Sequence, residues 1–488
     1  MRNARFAVLA LLVVGLVAAC PSSSLGQDAD AEAAKAAAEA VAARERAVKA
    51  VEEARIAEEK ARRAKRRSLE KDLAAKEEAL DAARAAGDKS AIAAAEAEVR
   101  KVALELSLVN AKLSSEAEEM PRPPSHAADG LPPLLPKADR AAEGVTGAAL
   151  DWLTRHQNPG GYWDCDGFST QCKDGKCPGA GGPLFDPGVS GLATLAFLGI
   201  GETHKTPRHG AVVRNALKYL KGIQDAEGCF GTRTSNHFTY NHAIAALAMT
   251  EAYGMTQSPL FKDSAQNGIN FVLLCRNPYL AWRYGVRPQD NDTAVTGWMV
   301  MALKSAKGAG LAVDEEAFKG ALAWLDKVTE PEYGRAGYTA RGNGPARPQE
   351  LMDAFPADRS EALTAEAVAT RLFCGAKSDD PMVVKGADLC LRSLPSWDES
   401  AGSIDFHYWY FGTMAMYQMG GDRWRRWEKP LREALVPHQR GEGDGCARGS
   451  YDPVDPWGGD GGRVYSTAMA ALMSEFWSVS RYRLVEDR

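Results

Sequence analysis

The chain has 488 residues, 45% of them hydrophobic and 25% charged, with a formal net charge of −5. That length can fill one large core or a few smaller ones, and the mildly acidic balance offers no footing for a phosphate backbone. Nucleic acid is therefore excluded as an expected partner.

The first twenty residues, MRNARFAVLALLVVGLVAAC, set Arg2 and Arg5 before an apolar run that closes on small residues. This is the pattern of an export signal, and the run is too short for a lasting transmembrane helix. Its end, Leu16-Val17-Ala18-Ala19-Cys20, resembles a bacterial lipobox. The resemblance implies that Cys20 becomes the lipid-bearing first residue of a membrane-anchored envelope lipoprotein, with plain secretion after Ala19 or a retained anchor as the alternatives. Every outcome places the remainder outside the cytoplasm. Eight further cysteines then remain, at 165, 172, 177, 229, 275, 374, 390 and 446. An even set in an oxidising location suits disulfides. The run Cys165-x6-Cys172-x4-Cys177 is loosely spaced with no His inside it, so it is read as disulfide or free thiol, and no metal or other cofactor is expected.

From Asp28 to Met120 Ala, Glu, Lys and Arg dominate, with no Pro and a single Gly, which predicts long helix. Gly87-Asp88-Lys89-Ser90 interrupts it with a helix stop followed by a cap-like Ser. Beyond the break Ile92, Ala95, Val99, Val102, Leu106, Val109 and Leu113 step by three and four; before it Leu69, Leu73 and Leu80 share a face broken by Lys76. An antiparallel helical hairpin or a coiled coil is expected, acting as a stalk over 28–120. Its RRAKRR run at 62–67 is read as a solvated face. Residues 121–144, with PRPP and LPPLLP, predict a stiff linker.

From Val145 the chain repeats in units of about 50 to 65 residues. Two segments, ALDWLTRHQNPGGYW and ALKYLKGIQDAEGCF, open alike: an amphipathic helix ends in Gln, followed by Gly and an aromatic, as Gln157/Gly161/Trp163 and Gln224/Gly228/Phe230. Gly permits a left-handed turn, the aromatic packs the corner, and the Gln amide can bond open helix ends. Each is followed by an apolar helix rich in small residues, GVSGLATLAFLGIG or YNHAIAALAMTEAYG, expected to be buried on most faces. The alternation continues through GINFVLLC with TGWMVMALKSA, ALAWLDKV with SEALTAEAVATRLF, GADLCLRSL with HYWYFGTMAMYQMG, and EKPLREALV with RVYSTAMAALMSEFW. These are six helix pairs, which close naturally into a ring because each pair can bury its apolar face only against its neighbours.

The Gln-x3-Gly-x-aromatic motif resembles the QW repeat of the squalene cyclase and protein prenyltransferase superfamily. The resemblance covers residues 145–482 and implies an all-α fold, a six-pair α/α toroid carried on the helical stalk. It does not extend to the catalytic signatures. Cyclases of that superfamily protonate an alkene with the middle Asp of Asp-x-Asp-Asp-Thr-Ala; alignment on Thr293-Ala294 puts Gln289, Asp290, Asn291 and Asp292 there, with Asn at the donor position. Asp292 and Thr293 are also good N-caps for the helix that follows. A zinc prenyltransferase set, a complete Asp-Asp-x-x-Asp and a Gly-Cys-Gly-Glu-Gln thioester are all missing from the sequence.

What remains is a collection of polar and aromatic residues at the starts of the inner helices, where a toroid exposes them to its cavity. Candidate acid–base residues are Asp292, His407, Asp405 and His242. Candidate ligand contacts are Tyr240, Asn241, His242, Trp298, His407, Tyr408, Trp409 and Tyr465. Each also has a structural reading as a capped or packed helix corner. The loops GRAGYTARGNGPARP and GSYDPVDPWGGDGGR have the composition of rims over a mouth. The expectation is a cell-envelope protein that binds an isoprenoid-like lipid, a glycan or a protein segment in its cavity. The alternative is a metal-independent enzyme in the same cavity, a glycan lyase or hydrolase or an atypical isoprenoid cyclase.

Overall fold

The computed structural model describes residues 140–173, 177–347 and 349–478 and, in part, 61–106. The export signal, Cys20, the Pro-rich linker and the two ends of the expected stalk lie outside the described residues. Within 61–106 the described residues on both sides of 87–89 are helical, and Leu69, Leu73, Leu80 and Val99 are buried. Lys65 pairs with Glu105 at 3.8 Å, Lys76 with Glu98 at 3.3 Å and Arg84 with Glu96 at 3.3 Å. As one partner advances along the chain the other retreats, which is the pairing of an antiparallel hairpin.

Twelve helices follow: α1 (Arg140–Arg155), α2 (Asp186–Gly199), α3 (Gly210–Gly222), α4 (Phe238–Thr256), α5 (Pro259–Cys275), α6 (Thr293–Gly308), α7 (Glu315–Val328), α8 (Ala362–Phe373), α9 (Pro381–Cys390), α10 (Phe406–Met419), α11 (Gly421–Leu435) and α12 (Gly458–Ser478). The even-numbered helices pack each on the next, α2 on α4 and so on to α12, and α12 packs back on α2. The odd-numbered helices lie outside, each touching the inner helix on either side of it. This is a closed six-pair α/α toroid, with the outer and inner helices paired as the sequence led us to expect.

Sequence dictates which helix goes where. α3 buries Val213, Ala216, Leu217 and Leu220, one stripe at intervals of three and four, and turns its lysines and arginine outward. α4, with scarcely a polar face, is buried along most of its length. None of the described helices is long and apolar enough to cross a membrane.

The repeated Gln motif is the joint between pairs. Gln157 donates its amide to Gly161 O and across to Val212 O (2.9 and 3.0 Å), and Gln224 does the same to Gly228 O and Ser264 O (3.1 and 3.0 Å). The motif recurs twice in forms the sequence disguised. Trp282 donates Nε1–H to Val272 O just as Trp163 does to Leu153 O, both at 2.8 Å, with Arg276 reaching Glu316 O in place of the Gln amide. Gln439 donates to Gly449 O and to Val145 O at 2.9 and 2.8 Å, so the last pair is joined to the first by the bond that joins consecutive pairs. A six-residue insertion between Gln439 and Gly449 hides this copy.

Gly449 has φ near 90° and a Cβ there would stand 2.2 Å from Ala148 O, so it has neither a permitted backbone nor room for a side chain. Gly449→Ala is expected to cost at least about 2 kcal/mol, read as a lowered urea midpoint. Gly222→Ala, with nothing within 4 Å of the new methyl and an ordinary helical backbone, is the control and should be neutral or slightly stabilising.

Candidate functional site

All six inner helices run in the same sense, so their N-termini converge on one end of the ring. The structure divides the sequence candidates at that end into wall and mouth. Asn291, at the position where a cyclase would carry its acid, turns into its own loop: its Oδ1 accepts from Ala281 N and Asn277 Nδ2, each at 3.0 Å. Asp292 caps α6 by accepting from Val295 N at 2.7 Å. Its other oxygen lies 3.5 Å from the Tyr338 hydroxyl and 3.6 Å from Arg283 Nε. The capping reading is met by the first oxygen. Burial pushes the Asp292 carboxyl up to about 7, against the opposing pull of the Val295 N–H, Arg283 and Tyr338. Tyr338 bonds Tyr284 hydroxyl to hydroxyl at 2.8 Å, and the Tyr240 and Tyr284 rings lie 6.0 Å apart. Tyr240 thus belongs to a tyrosine cluster beside Asp292.

Across from this cluster is Glu366, in the second turn of α8. It is fully buried, and neither carboxyl oxygen has a hydrogen-bond partner among the described residues. Burial and then the nearby Asp292 carry its pKa well above the usual carboxylate range, which favours the protonated form. A Cβ on Gly297 would meet Glu366 Oε1 at 2.2 Å; the glycine in α6 is what gives the carboxyl its place. His407 comes within 4.0 Å of Glu366 Oε2 through Nε2, while its buried Nδ1 has no hydrogen-bond partner. Burial lowers the His407 pKa to about 4, so the ring is neutral. Trp298 stacks on Tyr410 with centroids 5.7 Å apart and lies 6.4 Å from His407; Trp457 lies 5.9 Å from His407. Tyr465 is buried nearby, beside Asp455, a second acid raised well above its usual range by burial.

Other candidates belong to the wall. Asp405 caps α10 through Tyr408 N at 3.0 Å and accepts from Ser360 Oγ at 2.7 Å and from the buried Arg347 guanidinium. Burial, the largest influence, would raise it, but Arg347, His407, the Tyr408 N–H and the Ser360 hydroxyl together outweigh burial and hold it below the ordinary carboxylate range, as suits a structural carboxylate. Tyr408 spends its hydroxyl on Cys390 O and Ser393 O at 3.0 and 2.9 Å and packs edge-on against Trp427 of the outer layer. Trp409 is buried among Trp397 and Phe406. These two do not form the aromatic cage suggested by the dense cluster at 405–411. His242 accepts from Phe230 N and bonds Gly268 O (3.1 Å each), using both ring nitrogens within the fold, and Asn241 donates to Leu184 O at 2.7 Å. Both are joints between loops and helices.

Glu366, Tyr284, Tyr338 and Arg283 were missed. Glu366 had a signal: a lone acid in the middle of the apolar helix ALTAEAVATRLF. The three others sit in loops, and only folding shows where a loop residue points. The two Gly-rich loops do supply rim residues, Tyr338 from the first and Asp455 and Trp457 from the second.

The cysteines overturn the disulfide expectation: all eight at 165 and beyond are free thiols. Three of them, Cys172, Cys177 and Cys446, gather around His156, and with it they form a group able to hold a metal, where the sequence reading expected none. The spacing argument failed because the fourth and first members come from opposite ends of the ring.

No protein-family model and no curated protein matches the chain. Among solved structures it is similar to an alpha-1,6-mannanase from Salegentibacter sp., at 12% identity and TM-score 0.46 over 70% of this chain and 98% of that one. It is also similar to a type II terpene cyclase from Scytonema, at 13% identity and TM-score 0.44 over 70% and 98%. An alpha-amylase from Clostridium perfringens gives 11% identity and TM-score 0.47 over 69% and 98%. The chain's own helix order and ring closure make it an α/α toroid, the fold to which the paired Gln-x3-Gly-x-aromatic motifs pointed.

Proposed function

We propose that the mouth of the ring binds a neutral, hydroxyl-rich ligand, a segment of glycan, at the cell envelope. The observation that carries this reading is the Glu366–His407 pair: buried polar groups with unpartnered atoms, bordered by Trp298, Tyr410 and Trp457. Seating a hydrocarbon against such atoms leaves them unsatisfied, at about 1–3 kcal/mol each. Sugar hydroxyls can donate to and accept from a neutral acid and a neutral imidazole, and the aromatic faces suit pyranose rings. An isoprenoid is the less suited of the ligands considered. The leader resembling a lipobox supports an extracytoplasmic place for the ring, with the membrane reached through a lipidated Cys20.

Calorimetric titration of the full chain with neutral oligosaccharides is expected to give saturable binding. Glu366→Leu should weaken it about 10-fold or more, and Tyr408→Phe, in the outer wall, should leave it unchanged. If no neutral oligosaccharide binds while a polyprenol does, the reading is wrong. A catalytic reading has its own support in Asp292, whose proton is retained up to about pH 7, where a general acid is most effective. If the site turns glycan over, release of reducing ends will fall as pH rises through about 7 and be lost in Asp292→Asn, with binding retained.

A further inference from the structure

The ring's seam carries a second site, away from the mouth and independent of what the mouth binds. His156 follows the end of α1; Cys172 and Cys177 lie in the loop from α1 to α2; Cys446 lies in the insertion between α11 and α12. His156 Nε2 stands 3.4 Å from Cys172 Sγ, 3.7 Å from Cys177 Sγ and 3.3 Å from Cys446 Sγ. All four ligand atoms lie within 4.8 Å of one another. With bonds of ~2.3 Å to sulfur and ~2.0 Å to nitrogen, a tetrahedral zinc ion has edges of about 3.5 Å between N and S and about 3.8 Å between two S. The observed N···S spacings are therefore those of a tetrahedron around one ion.

The surroundings orient the ligands. His156 Nδ1 is held by Trp152 O at 2.9 Å, which fixes the proton there and leaves the Nε2 lone pair facing the sulfurs. Trp152 also stacks on the imidazole at a centroid distance of 4.2 Å, and Phe168 meets it edge-on. Cys172 Sγ accepts from Cys177 N at 3.3 Å, a hydrogen bond suited to a thiolate. Arg463 bonds Pro178 O and Ser450 Oγ at 2.7 Å each, holding the loop after Cys177 against the loop after Cys446.

We propose that His156, Cys172, Cys177 and Cys446 bind one zinc ion that clamps the first helix pair to the last. Three thiolates and an imidazole are a soft set that selects zinc over the hard cations, and four protein ligands leave no open position for substrate, which makes the site structural. His156 and Cys446 are 290 residues apart, so the ion ties the two ends of the toroid at the one seam that no helix-to-helix connection crosses. The metal also protects these thiols from pairing in an oxidising compartment. Binding releases the thiol protons to solvent as the three Zn–S bonds form.

The test is elemental analysis of the full chain purified without added metal, alongside peptide mapping under non-reducing conditions. One zinc per chain is expected, lost in Cys446→Ser and His156→Ala and kept in Cys374→Ser, a free thiol elsewhere in the ring. Because the seam variants are liable to misfold, the parent is also stripped with a chelator and reloaded with cobalt(II). Visible bands of tetrahedral cobalt with sulfur-to-metal charge transfer are expected, and chelation should lower the unfolding temperature by on the order of 10 °C. A Cys172–Cys177 disulfide in the native chain, copper in place of zinc, or cobalt spectra of an octahedral all-oxygen site would each overturn the proposal.

Discussion

Asp292→Asn is expected to gain stability relative to the parent as pH rises, by roughly 4 kcal/mol between pH 4 and pH 8. Burial raises the Asp292 carboxyl from its ordinary 3.8 to about 7 in the folded chain. Below pH 4 both folded and unfolded chains carry the proton and the group is neutral with respect to folding. Above it the unfolded chain releases the proton first, so the protonated folded form loses ground steadily until the folded group also ionises near pH 7. The Asn side chain does not titrate, and it keeps an oxygen that can cap Val295 N. Glu366 and Asp455 shift in the same direction, while the buried His242 and His407 shift to low values and act in the opposite sense. These are common to both proteins and to first order cancel in the difference. Urea midpoints of parent and variant across this pH range decide the matter; parallel curves would mean that Asp292 titrates as an ordinary surface carboxylate.

The value of Asp292 could not be read from the chain because it depends on what closes over it. Asp292 as an N-cap was legible from the Asp-Thr-Ala start of α6, and the structure realises that cap. Its second oxygen meets Tyr338, 46 residues on, in a loop whose composition said rim but not which side chain. The ring itself was legible for a simple physical reason: six amphipathic helices each followed by an apolar one leave few ways to bury the apolar set. Where one-dimensional pattern misled was at residue density. The cluster Asp405 to Phe411 suggested a ligand cage, yet consecutive residues on a helix face different ways: His407 approaches Glu366 and Tyr410 stacks on Trp298, while Tyr408 and Trp409 point into the wall. The converse error concerns the cysteines. A metal set is recognised in sequence by local spacing, and Cys172 and Cys177 without a neighbouring His gave half of one. The other half, His156 and Cys446, is local only after the ring closes.

Arg347→Met is expected to destabilise the protein by about 3–5 kcal/mol, because it leaves the Asp405 carboxylate buried without its counter-charge. Arg347 reaches two things from one position: Phe355 O at 2.8 Å and the Asp405 carboxylate, which in turn caps α10 and accepts from Ser360. The pair therefore anchors the long connection between α7 and α8, the same connection that carries Tyr338 to Asp292. Asp405→Asn in the Arg347→Met background removes the stranded charge and keeps a capping oxygen, so the double variant should be more stable than Arg347→Met alone, and urea midpoints of the four proteins give the coupling between the two residues. A double variant less stable than either single one would show that the residues act independently. The cycle also bears on the mouth. If the recovered double variant folds but leaves the connection free to move, Tyr338 loses its fixed position, Asp292 loses a donor that favours its ionised form, and its pKa should climb above about 7. The stability cost of Arg347→Met and the shift in Asp292 then have separate readouts, one in denaturant and one in pH, from a single buried ion pair.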